Sequence, residues 1–202
     1  TEVRLADGAT AVGFGDTAMW EHILTVKNPT NVDHIDFENV FTADYEIYRV
    51  IMQNVHPVVA GDIRLKLGAP NPSVGVVPLI QWSTQGWSVQ GTPAGEAGYT
   101  ENYAKIGIQS LPESPTAPYA GQNIEITFWQ PYSSSTLTKG SFYGVGYNDN
   151  ANHQLPVIGG FTDRTNVNGT GASCQGFIIN ATNGIQGTPT TKVDIYGYKE
   201  QS

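Results

Sequence analysis

Short stretches in which polar and apolar residues alternate, separated by turn-forming residues, constrain the fold of this chain more than any other feature. Residues 62–67 alternate strictly, and residues 34–40 and 123–129 share the same two-residue period. Such alternation is typical of strands with one face in a core and the other toward solvent. No segment keeps apolar residues at a helical spacing, so the pattern predicts an all-β protein of about ten short strands.

The turn-forming residues predict how these strands are organised. The chain has 23 Gly and 12 Pro, a composition that suits many turns. Pro interrupts residues 68–98, and because Pro is confined to strand edges and bulges, we expect only short strands there, at 76–82 and 86–89. Residues 99–108 are a further strand candidate. We predict a jelly-roll-like antiparallel β-sandwich as a single domain over residues 19–202. An extended N-terminal arm is predicted for residues 1–18.

Two strand pairings are expected from neighbouring segments. Residues 45–55 form the longest strand candidate, and residues 62–67 follow it across a turn, so we expect a hairpin. Residues 176–180 and 193–198 flank a turn-rich connector and are expected to close the fold as a second hairpin-like pair. The last strand is expected to bury three side chains, Val193, Ile195 and Tyr196.

The low charge of the chain restricts its partners. Only 14% of the residues are charged, and the net charge is −8. An acidic surface repels phosphate backbones, which argues against nucleic-acid binding. No run of about 18 apolar residues occurs, so no membrane span is predicted. Uncharged polar side chains cost less to bury than charged ones, so this composition favours contact with other proteins.

Motifs of catalysis and metal binding are missing from the sequence. Cys174 is the single cysteine, which excludes an intramolecular disulfide and a multi-thiolate zinc site. The four histidines lack the spacings of metal-binding motifs, and no nucleophile elbow or phosphate-binding loop is present. We therefore predict a protein that is not an enzyme and that uses no metal or cofactor.

Two local patterns have plainer explanations than a functional site. His34 lies between Asp33 and Asp36, but residues three apart on a strand face opposite sides, so the two carboxylates are not expected to converge. Asn168 and Asn180 each begin an Asn-X-Thr glycosylation pattern. That pattern is common and has no meaning without a secretory route.

Aromatic residues suggest a second function, the binding of a glycan. Stacking on a sugar requires exposed rings, whereas aromatics of an all-β domain usually fill its core or an oligomer interface. Trp82 and Trp87 are our candidates for glycan or partner contact. The wider aromatic set that could line a sugar platform is Trp82, Trp87, Trp129, Tyr143 and Tyr147.

Two segments resemble virion structural proteins of tailed bacteriophages. Residues 44–55, with the sequence DYEIYRVIMQNV, are similar to a strand of that group in which Tyr-x-x-Tyr precedes a turn and a second strand. Residues 176–180, a Gly-bearing turn and residues 193–198 are similar to its closing pair. The group comprises jelly-roll-like modules that serve as capsid decoration (cement) proteins or as parts of tail fibres, and it carries no catalytic residues.

The resemblance implies a non-enzymatic virion protein, most simply a capsid decoration protein that stabilises the shell. Its expected partners are the major capsid protein and copies of itself, in a homotrimer. The chain has one cysteine, and we expect no signal peptide, because its first residues are not a basic stretch followed by an apolar run. The protein is therefore expected to fold in the host bacterial cytoplasm and to be part of the virion. The alternatives are a tail-fibre or receptor-binding protein that recognises host glycan, and a carbohydrate-binding β-sandwich module.

Overall fold

Every regular element of the described chain is a β-strand. The computed structural model describes residues 20–27, 29, 32–58, 61–68, 80–87, 93–107, 121–148, 153–163, 174–186 and 190–199. The arm predicted for residues 1–18 lies outside these ranges. Within them there is no helix, which confirms the all-β class.

The strands follow one another along the chain with turns and loops between them. In chain order they are β1 (Trp20–Lys27), β2 (Val32–Phe37), β3 (Ile47–Pro57), β4 (Ile63–Gly68), β5 (Ile80–Trp87), β6 (Pro93–Glu101), β7 (Ala104–Lys105), β8 (Gln122–Trp129), β9 (Lys139–Asn148), β10 (His153–Asp163), β11 (Gly176–Gln186) and β12 (Lys192–Tyr198).

These strands form two antiparallel sheets. The large sheet has the order β6-β5-β10-β9-β8-β3-β12-β1, and the small sheet has the order β2-β11-β4-β7. The end of β11 joins the two sheets, because Ile185 and Gln186 pair with Pro57 and His56 of β3. The two sheets therefore meet where the end of β11 reaches the end of β3.

Eight of the strands wind as a jelly roll. Among these eight, the first lies beside the last, the second beside the seventh, the third beside the sixth and the fourth beside the fifth. The pairs are β1 with β12, β2 with β11, β3 with β8, and β4 with β7. This nested winding confirms the predicted jelly-roll-like sandwich. The other four strands, β9, β10, β5 and β6, extend the large sheet beyond β8.

Both predicted hairpins are wrong. β4 pairs with β11 and β7 instead of β3, and β12 pairs with β1 and β3 instead of β11. In a jelly roll each of these connections crosses from one sheet to the other, so strands adjacent in sequence lie on opposite sides of the core. Alternation indicates which face of a strand is buried, but it carries no information about the partner strand.

The Pro-rich middle forms longer strands than the sequence predicts. β5 is one continuous strand where the sequence predicts two, at residues 76–82 and 86–89, and β6 begins at Pro93. Pro has no backbone N–H to donate, but the first residue of an edge strand does not need one for the ladder of hydrogen bonds. β6 is such an edge, since it pairs only with β5 among the described strands.

Aromatic rings fill the space between the two sheets. Phe177 of the small sheet stacks on Phe37 with centroids 4.6 Å apart, and its centroid lies 5.2 Å from that of Phe128 in the large sheet. Phe41 contacts Phe128 at 5.0 Å and Tyr48 at 4.7 Å. None of these five rings is more than 1% exposed. Ring contacts of this kind add to the hydrophobic attraction that holds the sheets together.

The C-terminal strand is part of this core. Val193 and Ile195 have no solvent exposure, which confirms their predicted burial. Tyr196 is half-buried on the opposite face of the strand, so the prediction fails for this residue. The strict alternation along β12 explains the difference.

Candidate functional site

The outer face of the large sheet carries aromatic residues where solvent-facing strands usually carry polar ones. Trp20, Tyr198, Ile47 and Trp129 lie directly opposite one another on β1, β12, β3 and β8. We call these four residues the aromatic row. Trp20 is 39% and Trp129 is 40% exposed, and the Trp20 and Tyr198 rings are 5.5 Å apart. Exposed apolar patches of this kind mark interaction surfaces.

An ion pair lies beside the aromatic row and is satisfied within the chain. Arg49 Nε donates a hydrogen bond to Glu125 Oε1, and the Tyr143 hydroxyl donates to Glu125 Oε2 at 2.7 Å. The Arg49 guanidinium also lies 5.7 Å from the centre of the Trp20 ring. The hydrogen bond to Glu125 raises the pKa of Arg49. Because each charge already has a partner, the face can be buried at a lower desolvation cost than unpaired charges would impose.

A second ion pair lies on the same face of β12. Asp194 is 3% exposed and accepts hydrogen bonds from Lys192 Nζ and Thr25 Oγ1, each at 2.6 Å. Burial acts to raise the pKa of Asp194, but these two hydrogen bonds outweigh it, and the pKa is lowered. The carboxylate thus stays ionised and ties β1 to β12.

Two groups predict a loss of stability in acid. Burial lowers the pKa of His56 below its ordinary value of 6.5, so the unfolded chain takes up that proton first as the pH falls below 6.5. The lowered pKa of Asp194 adds a loss below its ordinary value of 3.8. We expect the unfolding free energy to be level between about pH 6.5 and pH 8 and to fall in two stages below that range.

Urea unfolding across this pH range measures the effect. His56→Gln is expected to remove the first stage, and Asp194→Asn is expected to flatten the second while lowering stability at neutral pH. An unchanged pH profile for His56→Gln would show that another group is responsible.

A groove crosses the extension of the large sheet. Its floor consists of small residues, Ser141, Gly160, Ser83 and Ala97, which lie opposite one another on β9, β10, β5 and β6. Two shallow depressions of about 520 Å³ and 610 Å³ share the last three of these residues.

Exposed rings and polar side chains border the groove. Tyr143 and Ile158 pair with each other along one side and are 54% and 52% exposed, and Tyr99, at 63%, lies on the other side. Gln81 and Thr162 line the second depression. Amide and hydroxyl groups beside exposed rings have the chemistry that a neutral sugar requires.

The structure separates the aromatic candidates of the sequence. Trp82 pairs with Phe161 and Gly98 and is 5% exposed, so the expectation that its ring is exposed is wrong. Trp87 ends β5, but its side chain lies outside the described residues, as does that of Tyr147. Trp129 and Tyr143 are exposed as required. Trp82 is buried because its position along β5 places it on the inward face.

Most of the outer face was not predicted from the sequence. Trp20, Ile47, Tyr198 and Ile158 were not among the candidate contact residues. The sequence did contain one indication of this face, because residues 45–55 include apolar side chains at both odd and even positions. Such a strand is covered on both faces, either by its own fold or by a partner.

The other candidate groups have structural surroundings. Cys174 is buried, which raises the pKa of its thiol to about 11, and Sγ donates to the Gly176 carbonyl at 3.0 Å. His34 Nε2 lies 3.0 Å from Asp36 Oδ2, in an exposed pair. Asn180 lies within β11 between two other strands, with its amide oxygen buried, which is unfavourable for glycosylation. Asn168 lies outside the described residues.

The described residues include neither a candidate metal centre nor a membrane-spanning helix. In the described part of the chain, no group of three or more His, Cys, Asp or Glu side chains could hold a metal ion. The same residues contain no helix long and apolar enough to cross a membrane. Protein-family models, curated proteins and solved structures yield no match to this chain. Fold and surface therefore define an all-β jelly-roll protein with an aromatic outer face.

Proposed function

We propose that this chain is a non-enzymatic structural protein of a tailed-phage virion, most simply a capsid decoration protein. The observation that carries the proposal is the aromatic outer face on a jelly-roll sandwich. Jelly rolls build many viral capsid proteins, but a fold alone does not assign a function. The outer face supplies the second element, because it suits burial against protein.

The physical basis of this role is adhesion. Trp20 and Trp129 each keep about two fifths of their surface exposed, and apolar area buried in an interface contributes roughly 25 cal/mol per Å². The ion pairs Arg49–Glu125 and Lys192–Asp194 are complete within the chain. In this proposal the protein binds the major capsid protein, stabilises the shell, and is part of the virion after folding in the host bacterial cytoplasm.

Binding to purified shells that lack the protein tests the proposal. We expect the protein to bind, and the shells without it to rupture at a lower temperature than decorated shells. The affinity should depend only weakly on salt, because few unpaired charges are available to mediate contact. Strong adsorption to host cells combined with no affinity for shells would contradict the decoration role.

The groove supports a second candidate, a receptor-binding protein that recognises host glycan. Its exposed rings and mostly uncharged lining, in which Glu96 and Lys139 are the charged residues, suit a sugar. If this function is correct, Tyr99→Ala will abolish binding to host cells, since Tyr99 is the most exposed of the large apolar residues bordering the groove. Tyr132→Ala is a matched control, because Tyr132 is 39% exposed and does not line either depression.

A further inference from the structure

We infer that the outer face formed by β1, β12, β3 and β8 binds a second copy of this chain about a twofold axis. The inference rests on the proposed function and narrows it, because a face that is buried between two copies leaves the capsid to be contacted by the other surfaces of the pair. It rests on the self-complementarity of the aromatic row, the charge balance of the face and its area.

The order of residues in the aromatic row is similar when it is read from either end. It reads Trp20, Tyr198, Ile47 and Trp129 across four neighbouring strands, with an indole at each end and two apolar residues between. An axis that runs parallel to the strands, between β12 and β3, exchanges β1 with β8. It therefore lays Trp20 of each copy against Trp129 of the other. An isologous interface requires this kind of self-complementary surface.

The next row of outward side chains is compatible with the same axis. His22, Tyr196, Arg49 and Thr127 lie opposite one another on these four strands. Reversal places the guanidinium of Arg49 over the Tyr196 ring of the second copy, a stacking arrangement that Arg favours. His22 then faces the Thr127 hydroxyl.

The third row places no charge opposite a like charge. Thr25, Asp194, Ile51 and Glu125 occupy it. Reversal sets Asp194 against Ile51 and Glu125 against Thr25 of the second copy. Both carboxylates in this row thus meet uncharged groups.

Charge balance favours this face for self-association over the chain's surface in general. Each copy has a net charge of −8, so two copies repel one another at most orientations. On this face Arg49 offsets Glu125 and Lys192 offsets Asp194. The two ion pairs sum to zero, and the one further charge among the described side chains of this face, Lys27 on β1 beside Lys192, lies at opposite edges of the interface in the two copies.

The area is sufficient for a reversible pair. Four strands at about 4.8 Å spacing span roughly 19 Å, and seven residues at about 3.3 Å each span roughly 23 Å. Each copy therefore offers about 440 Å², and both together about 880 Å², which lies in the range below about 1,200 Å² that weak, reversible complexes bury. We expect a dimer whose population rises with concentration, in place of the homotrimer predicted from the sequence.

Sedimentation velocity over a concentration series tests the pair directly. We expect the wild-type protein to shift from monomer to dimer. Trp129→Ser should weaken the dimer by at least about thirtyfold, because Trp is enriched among interface hot spots and this indole occurs twice in the interface. Val58→Ser is the control, because Val58 has the same 40% exposure but lies beyond the end of β3 that is distant from the aromatic row, where its backbone N–H donates to the Gly184 carbonyl of β11. A trimer, or equal weakening by both variants, would overturn the inference.

Cross-linking tests the twofold geometry independently of affinity. In one copy His22 and Thr127 lie three strands apart, about 14 Å, whereas in the pair each faces the other residue of the second copy across sheets about 10 Å apart. The double variant His22→Cys with Thr127→Cys should therefore give a covalent dimer with a short bismaleimide cross-linker, whereas either single variant should not. The native thiol does not interfere, because Cys174 is buried. A ladder of higher polymers would indicate a head-to-tail contact and contradict the twofold pair.

The shell assay separates this inference from the proposed function. A protein that binds shells but stays monomeric would refute the pair and leave the decoration role standing. A protein that forms the pair but does not bind shells would refute the decoration role and leave the pair standing.

Discussion

Removal of residues 190–202 is expected to leave an insoluble or unfolded chain. The deletion takes away β12, which lies between β1 and β3 in the large sheet. It removes the fully buried Val193 and Ile195, each worth roughly 1.5–3 kcal/mol, and leaves the facing hydrogen-bonding groups of two strands unpaired. Against a typical total stability of about 5–15 kcal/mol, the loss is severe. Soluble yield and the thermal unfolding transition measure it.

A shorter deletion controls for the loss of chain length. Removing residues 200–202 leaves all of β12 in place and is expected to preserve the melting transition. If the longer deletion gave a soluble protein with an unchanged transition, β12 would be peripheral to the fold.

Phe177→Ala is expected to destabilise the protein more than any single substitution on the outer face. Phe177 stacks on Phe37, and its ring also contacts Phe41 and Phe128, so its removal opens a cavity where the two sheets meet. Truncation of a buried Phe to Ala costs about 3–5 kcal/mol. Denaturant unfolding should show a lower midpoint with little change in slope.

The matched control is a substitution of an exposed ring. Tyr143→Ala removes a side chain that is 54% exposed, along with its hydrogen bond to Glu125. We expect this variant to lose much less stability than Phe177→Ala. Equal losses would mean that the buried aromatic rings between the sheets contribute no more to stability than an exposed ring does.

Local pattern was sufficient to predict which strands exist and which of their side chains are buried. The alternation in residues 62–67 and 123–129 corresponds to β4 and β8, with the apolar side chains turned inward. Val193 and Ile195 are buried as predicted, but that prediction also included Tyr196, which parity places on the opposite face of β12. The prediction of an exposed ring failed at Trp82, because the sequence does not show which parity of β5 faces the core.

The sequence by itself determined the all-β class, the sandwich and the inward face of most strands, because a two-residue period depends only on neighbouring side chains. Strand partners were decided by the tertiary structure alone. β3 and β4 separate into different sheets, and β12 pairs with a strand about 170 residues away in the chain. The aromatic row likewise exists only once β1, β12, β3 and β8 lie side by side. Pairing between distant segments depends on contacts across the whole core, and no local pattern encodes those contacts.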